Sequence, residues 1–151
     1  MVPFFRIANA EYSPKDPTRA SQTSDGRWHR LSQRVLYFSS SLPLSVLELY
    51  VNGISFGLIR NKHHFSSVDI DLSKNTLRVP EAFYADNWTV NREFTQSFGN
   101  DWYFRKEYLF LAVKSAVLPT EVNVIVNTAH PDFGSLNFSD PNPVPLDPRL
   151  A

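Results

Sequence analysis

The sequence contains no cysteine in its 151 residues. That excludes disulfide frameworks, thiol nucleophiles and zinc–thiolate sites, and fits a reducing compartment. Glycine is scarce, with five in all. None falls in a Gly-x-Gly-x-x-Gly or Walker-type spacing, so no glycine-rich phosphate loop is available. Net charge is lacking too: 15 Lys+Arg balance 15 Asp+Glu. This removes any electrostatic reason to expect nucleic acid or an anionic membrane as a partner. No apolar run approaches the roughly 20 residues needed to span a bilayer. The opening Met1-Val2-Pro3-Phe4-Phe5-Arg6 lacks the basic region and long apolar stretch of a signal peptide. The histidines His29, His63, His64 and His130 make no His-x-x-x-His or His-Glu-x-x-His spacing, so no metal site is expected. A cytoplasmic protein is the expectation.

What is present is a globular composition. Hydrophobic residues make up 42% and charged residues 20%, which argues for one folded domain over residues 1–151 with a moderate core. Aromatic residues reach 14%, including 12 Phe, enough to build both a core and the walls of a pocket. Five of the 11 prolines follow residue 130, so the tail reads as irregular chain wrapping the surface.

The periodicity predicts a mixed α+β fold, with central twisted sheets and flanking helices. Phe4 to Ala8 reads as a first strand carrying Arg6. Residues 11–26 are rich in Ser, Thr, Pro, Asp and Lys and read as a long surface loop, of a length that often serves as a lid. Val35 to Ser39 is a second strand. Ser39-Ser40-Ser41 supplies N-cap candidates for a helix of about ten to twelve residues, with Pro43 in its first turn and Gly53 as its stop. His64 to Leu72 alternates as a half-buried strand. Pro80 to Trp88 carries turn signals, and Asn91 to Glu107 suits a second helix that Gly99 weakens. Tyr108 to Val113 and Glu121 to Asn127 are the later strands, joined by a turn at Pro119.

Four polar residues stand out in apolar surroundings, where burying a polar group is expensive. Arg27 follows Gly26 and precedes Trp28, and its guanidinium fork suits phosphate oxygens; a plain Arg stacked on Trp28 fits as well. Tyr37 faces away from Leu36 and Phe38 by strand alternation, as a pocket ring or a core aromatic. Glu48 falls beside a predicted stripe of Leu44, Leu47 and Val51, where a carboxylate needs a partner or a task; a buried ion pair with Arg27 is the simplest partner. Ser115 closes the run Leu109–Val113 just after Lys114. No Gly-x-Ser-x-Gly surrounds it, so a nucleophile elbow is not supported.

Taken in order, these segments resemble the RES domain family, named for its Arg, Glu and Ser. Phe5-Arg6-Ile7 resembles the family's opening Tyr-Arg-Ile, and Gly26-Arg27-Trp28 its Gly-Arg-Trp-Asn. Val35-Leu36-Tyr37-Phe38-Ser39 resembles the strand that follows, and Leu44 to Leu49 the helix bearing Glu. Ser115-Ala116-Val117-Leu118-Pro119 is similar to Val-Pro-Ser-Ala-Val-Val-Pro. Asn123, Asn127 and His130-Pro131-Asp132-Phe133 resemble an Asn…Asn-Pro-x-His-Pro run, and Leu146-Asp147-Pro148-Arg149-Leu150 resembles the Phe-Asp-Pro-Arg-Leu ending. The likeness spans essentially the whole chain. Three positions depart from it: His29 replaces Asn after Trp, Ser32 stands where Gly is typical, and Lys114 replaces Pro before the Ser.

The resemblance implies the toxin of a bacterial toxin–antitoxin pair, with a fold related to ADP-ribosyltransferases. It implies consumption of NAD+ as a substrate by hydrolysis or phosphorolysis, with no separate cofactor, and in some members ADP-ribosylation of a protein. The implied partner is a helix-turn-helix antitoxin of the Xre type that blocks the active site, in a homodimer or a larger assembly. On this reading Arg6 and Arg27 bind phosphate oxygens and Tyr37 packs on nicotinamide or its ribose. Glu48 offsets positive charge on the ribose, Ser115 positions the ribose or carboxamide, and Asn127 adds a polar contact. The acceptor stays open among water, phosphate and a protein side chain. A different class, a non-catalytic binding or regulatory module, would make Arg27–Glu48 a structural ion pair and Tyr37 a core residue.

Overall fold

The apolar run ending at Val113 becomes a strand buried on both faces, and the rest of the architecture follows from covering them. In a computed structural model that describes residues 1–15 and 24–151, strands β1 (Val2–Asn9), β2 (Val35–Ser39), β3 (His63–Ile70), β4 (Thr76–Arg78), β5 (Phe110–Lys114), β6 (Val122–Asn127) and β7 (Asn142–Pro143) form one sheet. Their order is β4-β5-β6-β2-β1-β3-β7. Every adjacent pair is antiparallel except β4 with β5. Helices α1 (Leu42–Val51), α2 (Phe56–Lys62) and α3 (Arg92–Arg105) complete the mixed α+β fold. No helix among the described residues is long and apolar enough to cross a membrane.

Alternation along β2, β5 and β6 separates two cores. Leu36, Phe38, Phe110, Val124 and Val126 point to one side, where they meet Phe4, Val68 and Ile70. Phe133, Leu136 and Phe138 of the tail cover that side, so the proline-rich segment packs against the sheet as well as wrapping it. Val35, Leu111, Val113 and Ile125 point to the other side, against Trp28 and the α3 residues Trp102 and Tyr103. Tyr37 lies on this second face, as strand alternation predicts. A third cluster joins Ile7 to Val46 of α1, Ile59 of α2 and Val144.

Several local expectations hold and others shift. The N-cap of α1 is Ser41, whose Oγ accepts the Leu44 N–H at 3.2 Å. Gly53 follows the helix at φ +94°, a conformation that favours glycine. Of the predicted stripe of α1, Leu44 is buried but Val51 is 62% exposed; the helix also buries Val46, flanked by the partly buried Leu42 and Leu49. Glu48, one turn after Leu44, is half-buried. The short helix α2 and strand β4 were not expected; seven and three residues leave too little period to read. At Gly99, α3 continues, and the missing side chain serves its packing. A Cβ there would lie 1.7 Å from the Trp28 carbonyl oxygen, so the helix touches the Asp25–Trp28 loop backbone to backbone. Half of the predicted 11–26 loop, residues 16–23, lies outside the described residues.

Candidate active site

The sheet opens where β1 and β2 part. The two strands register at Phe5↔Ser39; past that pair, Arg6 and Ile7 on β1 and Tyr37 on β2 line a cavity of about 620 Å³. This is the size range of small-molecule sites. The Asp25–His29 loop, α1, Arg92 of α3, Lys114 and Asn123 form the rest of its wall.

Glu48 reaches this cavity from α1. The helix is anchored one turn earlier by Ser45, whose hydroxyl donates to the Phe5 carbonyl at 3.1 Å. Glu48 Oε1 accepts two hydrogen bonds, from Ser115 Oγ at 2.7 Å and from Asn123 Nδ2 at 2.8 Å. No hydrogen bond to Oε2 is made among the described residues, so one carboxylate oxygen is fixed and the other is left for a ligand. The expected Arg27–Glu48 ion pair does not form; the two groups interact only at longer range.

Ser115 is fully buried and does not line the cavity. Its hydroxyl donates to Glu48 and accepts the N–H groups of Val117 and Leu118, each at 3.1 Å. That uses the whole capacity of a hydroxyl. The expectation that Ser115 contacts a ribose or carboxamide is corrected: it holds Glu48.

Arg27 projects from a loop that α3 clasps. Thr95 Oγ1 donates to the Arg27 carbonyl, and Gln96 Nε2 donates to the Gly26 carbonyl at 2.7 Å and to Asp25 at 2.9 Å. The guanidinium lies 5.8 Å from the centre of the Trp88 ring, and its Nη1 donates to the Thr89 carbonyl. Burial, and then the nearby Arg92, hold the Arg27 guanidinium below its ordinary value, with Glu48 and Tyr37 opposing. Arg92 itself reaches Asp25 at 3.4 Å. Two guanidiniums at one wall repel each other until an anion sits between them.

The Tyr37 hydroxyl is tied on both sides, to His29 Nδ1 at 2.8 Å and to the Trp28 N–H at 3.3 Å. Burial raises its ionisation well above the ordinary tyrosine range, against the pull of Arg92 and Arg27. Arg6 lines the cavity and donates from Nε to the Pro14 carbonyl at 3.3 Å.

Asn127 is a correction. It shares a strand face with Asn123 but lies away from the cavity wall, fully buried. Its Nδ2 donates to the Tyr103 carbonyl and its Oδ1 accepts the Ala129 N–H, both at 2.9 Å. Both ends of the amide serve the backbone. Asn123, which pairs with Ser39 at the other end of β6, lines the cavity instead.

Arg92, Asn123 and His29 were not among the candidates. A signal existed for Arg92: a cation in the first turn of α3 opposes the helix dipole. Asn123 was present in the motif but chosen against. His29 stood out only as a departure.

Comparison with known proteins gives a consistent result. A family model described as RES domain matches residues 3–147. The "Prs ADP-ribosylating toxin" of Sphingobium sp. (strain YBL2) is 29% identical over 156 residues, covering 97% of this chain and 95% of that protein. A "Toxin Res" of Photorhabdus laumondii subsp. laumondii is 30% identical over 111 residues, covering 72% of this chain and 69% of that one. Among solved structures, a chain of the M. tuberculosis MbcT–MbcA toxin–antitoxin complex matches with a TM-score of 0.70 at 15% identity. It covers 95% of this chain and 84% of that chain, a likeness of fold.

Proposed function

The chain belongs to the RES domain family, and on that premise we propose that it is the toxin of a toxin–antitoxin pair that cleaves the nicotinamide–ribose bond of NAD+. The observation that carries this reading is Glu48. Its Oε1 is fixed by Ser115 and Asn123, and it faces a cavity lined also by Arg6, Arg27 and Arg92. One anionic group opposite several cationic ones suits a substrate with a pyrophosphate at one end and a bond that breaks toward a cation at the other.

When the bond from C1′ to the nicotinamide nitrogen breaks, its electron pair neutralises the pyridinium, so nicotinamide needs no proton to leave. Positive charge develops on the ribose. The Glu48 carboxylate accepts a ribose hydroxyl through Oε2 and lies close to that charge. A preorganised group of this kind contributes about 10²–10³ in rate. Arg27 and Arg92 hold the pyrophosphate, with Arg6 beside them, and Tyr37 packs on the nicotinamide or its ribose. Water attacking C1′ gives ADP-ribose and releases a proton; phosphate attacking gives the 1″-phosphate. NAD+ is substrate, and the reaction draws on no further cofactor.

A second reading has one observation behind it, the name of the Sphingobium relative. There the acceptor is a side chain of another protein, with the same bond broken and the same residues holding NAD+. The partner on either reading is a helix-turn-helix antitoxin of the Xre type that covers the cavity, and the site of action is the cytoplasm.

The test is nicotinamide release from NAD+ by the purified chain, with water alone, with phosphate and with a bacterial protein extract. The reading expects release in at least one condition and its loss in Glu48→Gln. No release in any of the three, or unchanged release by a folded Glu48→Gln, overturns it. Label from NAD+ appearing on protein assigns the second reading.

A further inference from the structure

His29 is 4% exposed, yet both of its ring nitrogens meet polar atoms. Nε2 lies 3.0 Å from the Ser24 carbonyl oxygen, and Nδ1 lies 2.8 Å from the Tyr37 hydroxyl. A carbonyl only accepts, so the proton belongs on Nε2. In the neutral ring Nδ1 then carries a lone pair, and the Tyr37 hydroxyl donates to it. The same hydroxyl oxygen accepts the Trp28 N–H. Gly26 makes room for this arrangement. A Cβ at that position would stand 2.7 Å from His29 Nδ1 and 2.8 Å from the Tyr37 hydroxyl.

We infer that His29 is a positioning residue that accepts the hydrogen bond of the Tyr37 hydroxyl, so that Tyr37 meets the substrate with its ring and offers it no hydrogen-bond donor. This rests on the NAD+ reading above and specifies one side of it. A tyrosine whose only proton is committed to a buried imidazole keeps its ring in one orientation. The ring then forms a fixed wall to stack against, the geometry a flat aromatic ligand needs.

The substitutions available at 29 separate the two nitrogens. Asn Oδ1 stands one bond from Cγ, as Nδ1 does, so Asn can accept from Tyr37 but cannot reach Ser24. Gln places its amide near the Nε2 position and serves Ser24 without serving Tyr37. Leu serves neither.

The experiment measures kcat and KM for nicotinamide release by the full chain carrying His29→Asn, His29→Gln or His29→Leu. Each is made with Tyr37 intact and with Tyr37→Phe, and 15N spectra of the wild-type imidazole are recorded in parallel. His29→Leu and His29→Gln are expected to lower kcat/KM about tenfold, the factor of one lost hydrogen bond. His29→Asn is expected to recover most of that loss. With Phe at 37, His29→Leu is expected to cost no more than the small loss that His29→Asn shows for the Ser24 bond, because the bond to the Tyr37 hydroxyl is already gone. The spectrum is expected to show the proton on Nε2. The same loss from His29→Leu in both backgrounds, activity in His29→Gln but not in His29→Asn, or a proton on Nδ1 would each overturn the inference. Should a variant fail to fold, the wild-type spectrum still decides. Should the wild type release no nicotinamide, the NAD+ reading fails, and the spectrum alone judges the His29–Tyr37 bond.

Discussion

Ser115 Oγ donates to Glu48 Oε1 across 2.7 Å, from a position with no exposure to solvent. The two residues are 67 positions apart in the chain, one just past the end of β5 and the other on α1. The strand end thereby aims the carboxylate that faces the cavity.

Removing either group that aims Glu48 is expected to cost activity. Ser115→Ala also strands the N–H groups of Val117 and Leu118, so it is expected to lose about 1–3 kcal/mol of stability together with about tenfold in kcat. Asn123→Ala leaves no such orphaned N–H and is expected to lower kcat with a smaller fall in stability. Melting curves and NAD+ turnover on the same preparations separate the two. Unchanged kcat in both variants would remove the aiming role.

Gly99 is where α3 meets the arginine loop. Gly99→Ala places a methyl where the Trp28 carbonyl oxygen now lies, and neither backbone can yield cheaply. The expected outcome is a loss of about 3 kcal/mol or more, with Arg27 displaced and substrate binding weakened. Denaturant unfolding checks it; a fall under about 0.5 kcal/mol would mean the loop and helix are not in close contact.

Ser32 has φ 76°, the left-handed region that costs a side-chain-bearing residue about 1–3 kcal/mol. This is the position at which the family resemblance expects glycine. Ser32→Gly is expected to raise stability by about 0.5–1 kcal/mol after the extra unfolded-state entropy of glycine is counted. Thermal unfolding reads it directly, and a destabilised variant would contradict it.

Alkaline pH acts through Tyr37. Burial raises its folded-state value above the ordinary one, so the folded chain keeps a proton that the unfolded chain releases. The associated stability is fully present below about pH 10 and is lost as pH rises above it. Wild-type melting temperature is expected to fall between about pH 10 and pH 12, and Tyr37→Phe is expected to flatten part of that fall. Identical profiles for the two proteins would show that Tyr37 contributes nothing there.

Much of this is legible in the sequence. Tyr37 could be placed on the face opposite Leu36 and Phe38 because strand period is an exact two. The Ser41 cap and the Gly53 stop follow from local chemistry. On α1 the sequence pattern places Leu44 correctly but not Val51, because Val51 is as apolar as Val46 and the choice between them is made by Ile7 and Ile59, which lie outside the helix. For the same reason Asn127 was preferred to Asn123. Two asparagines on one strand face differ only in what lies opposite, Tyr103 for one and Glu48 for the other. Ser115 and Glu48 were legible as a pair of unusual residues, but their hydrogen bond was not, because it spans elements whose approach is set by the sheet order.

The order of strands in the sheet also sets an order in time. β6 is sixth along the chain but third in the sheet, between β5 and β2, and it carries Asn123. A ribosome delivers Arg6, Arg27, Tyr37 and Glu48 first, while the strand that joins β5 to β2 is still unmade. Until β6 enters its slot, Tyr37 lacks its neighbour Ile125, and Glu48 lacks the Asn123 donor that β6 carries. The emerging chain thus carries an incomplete cavity wall through most of its synthesis, and the wall closes only when the centre of the sheet is filled.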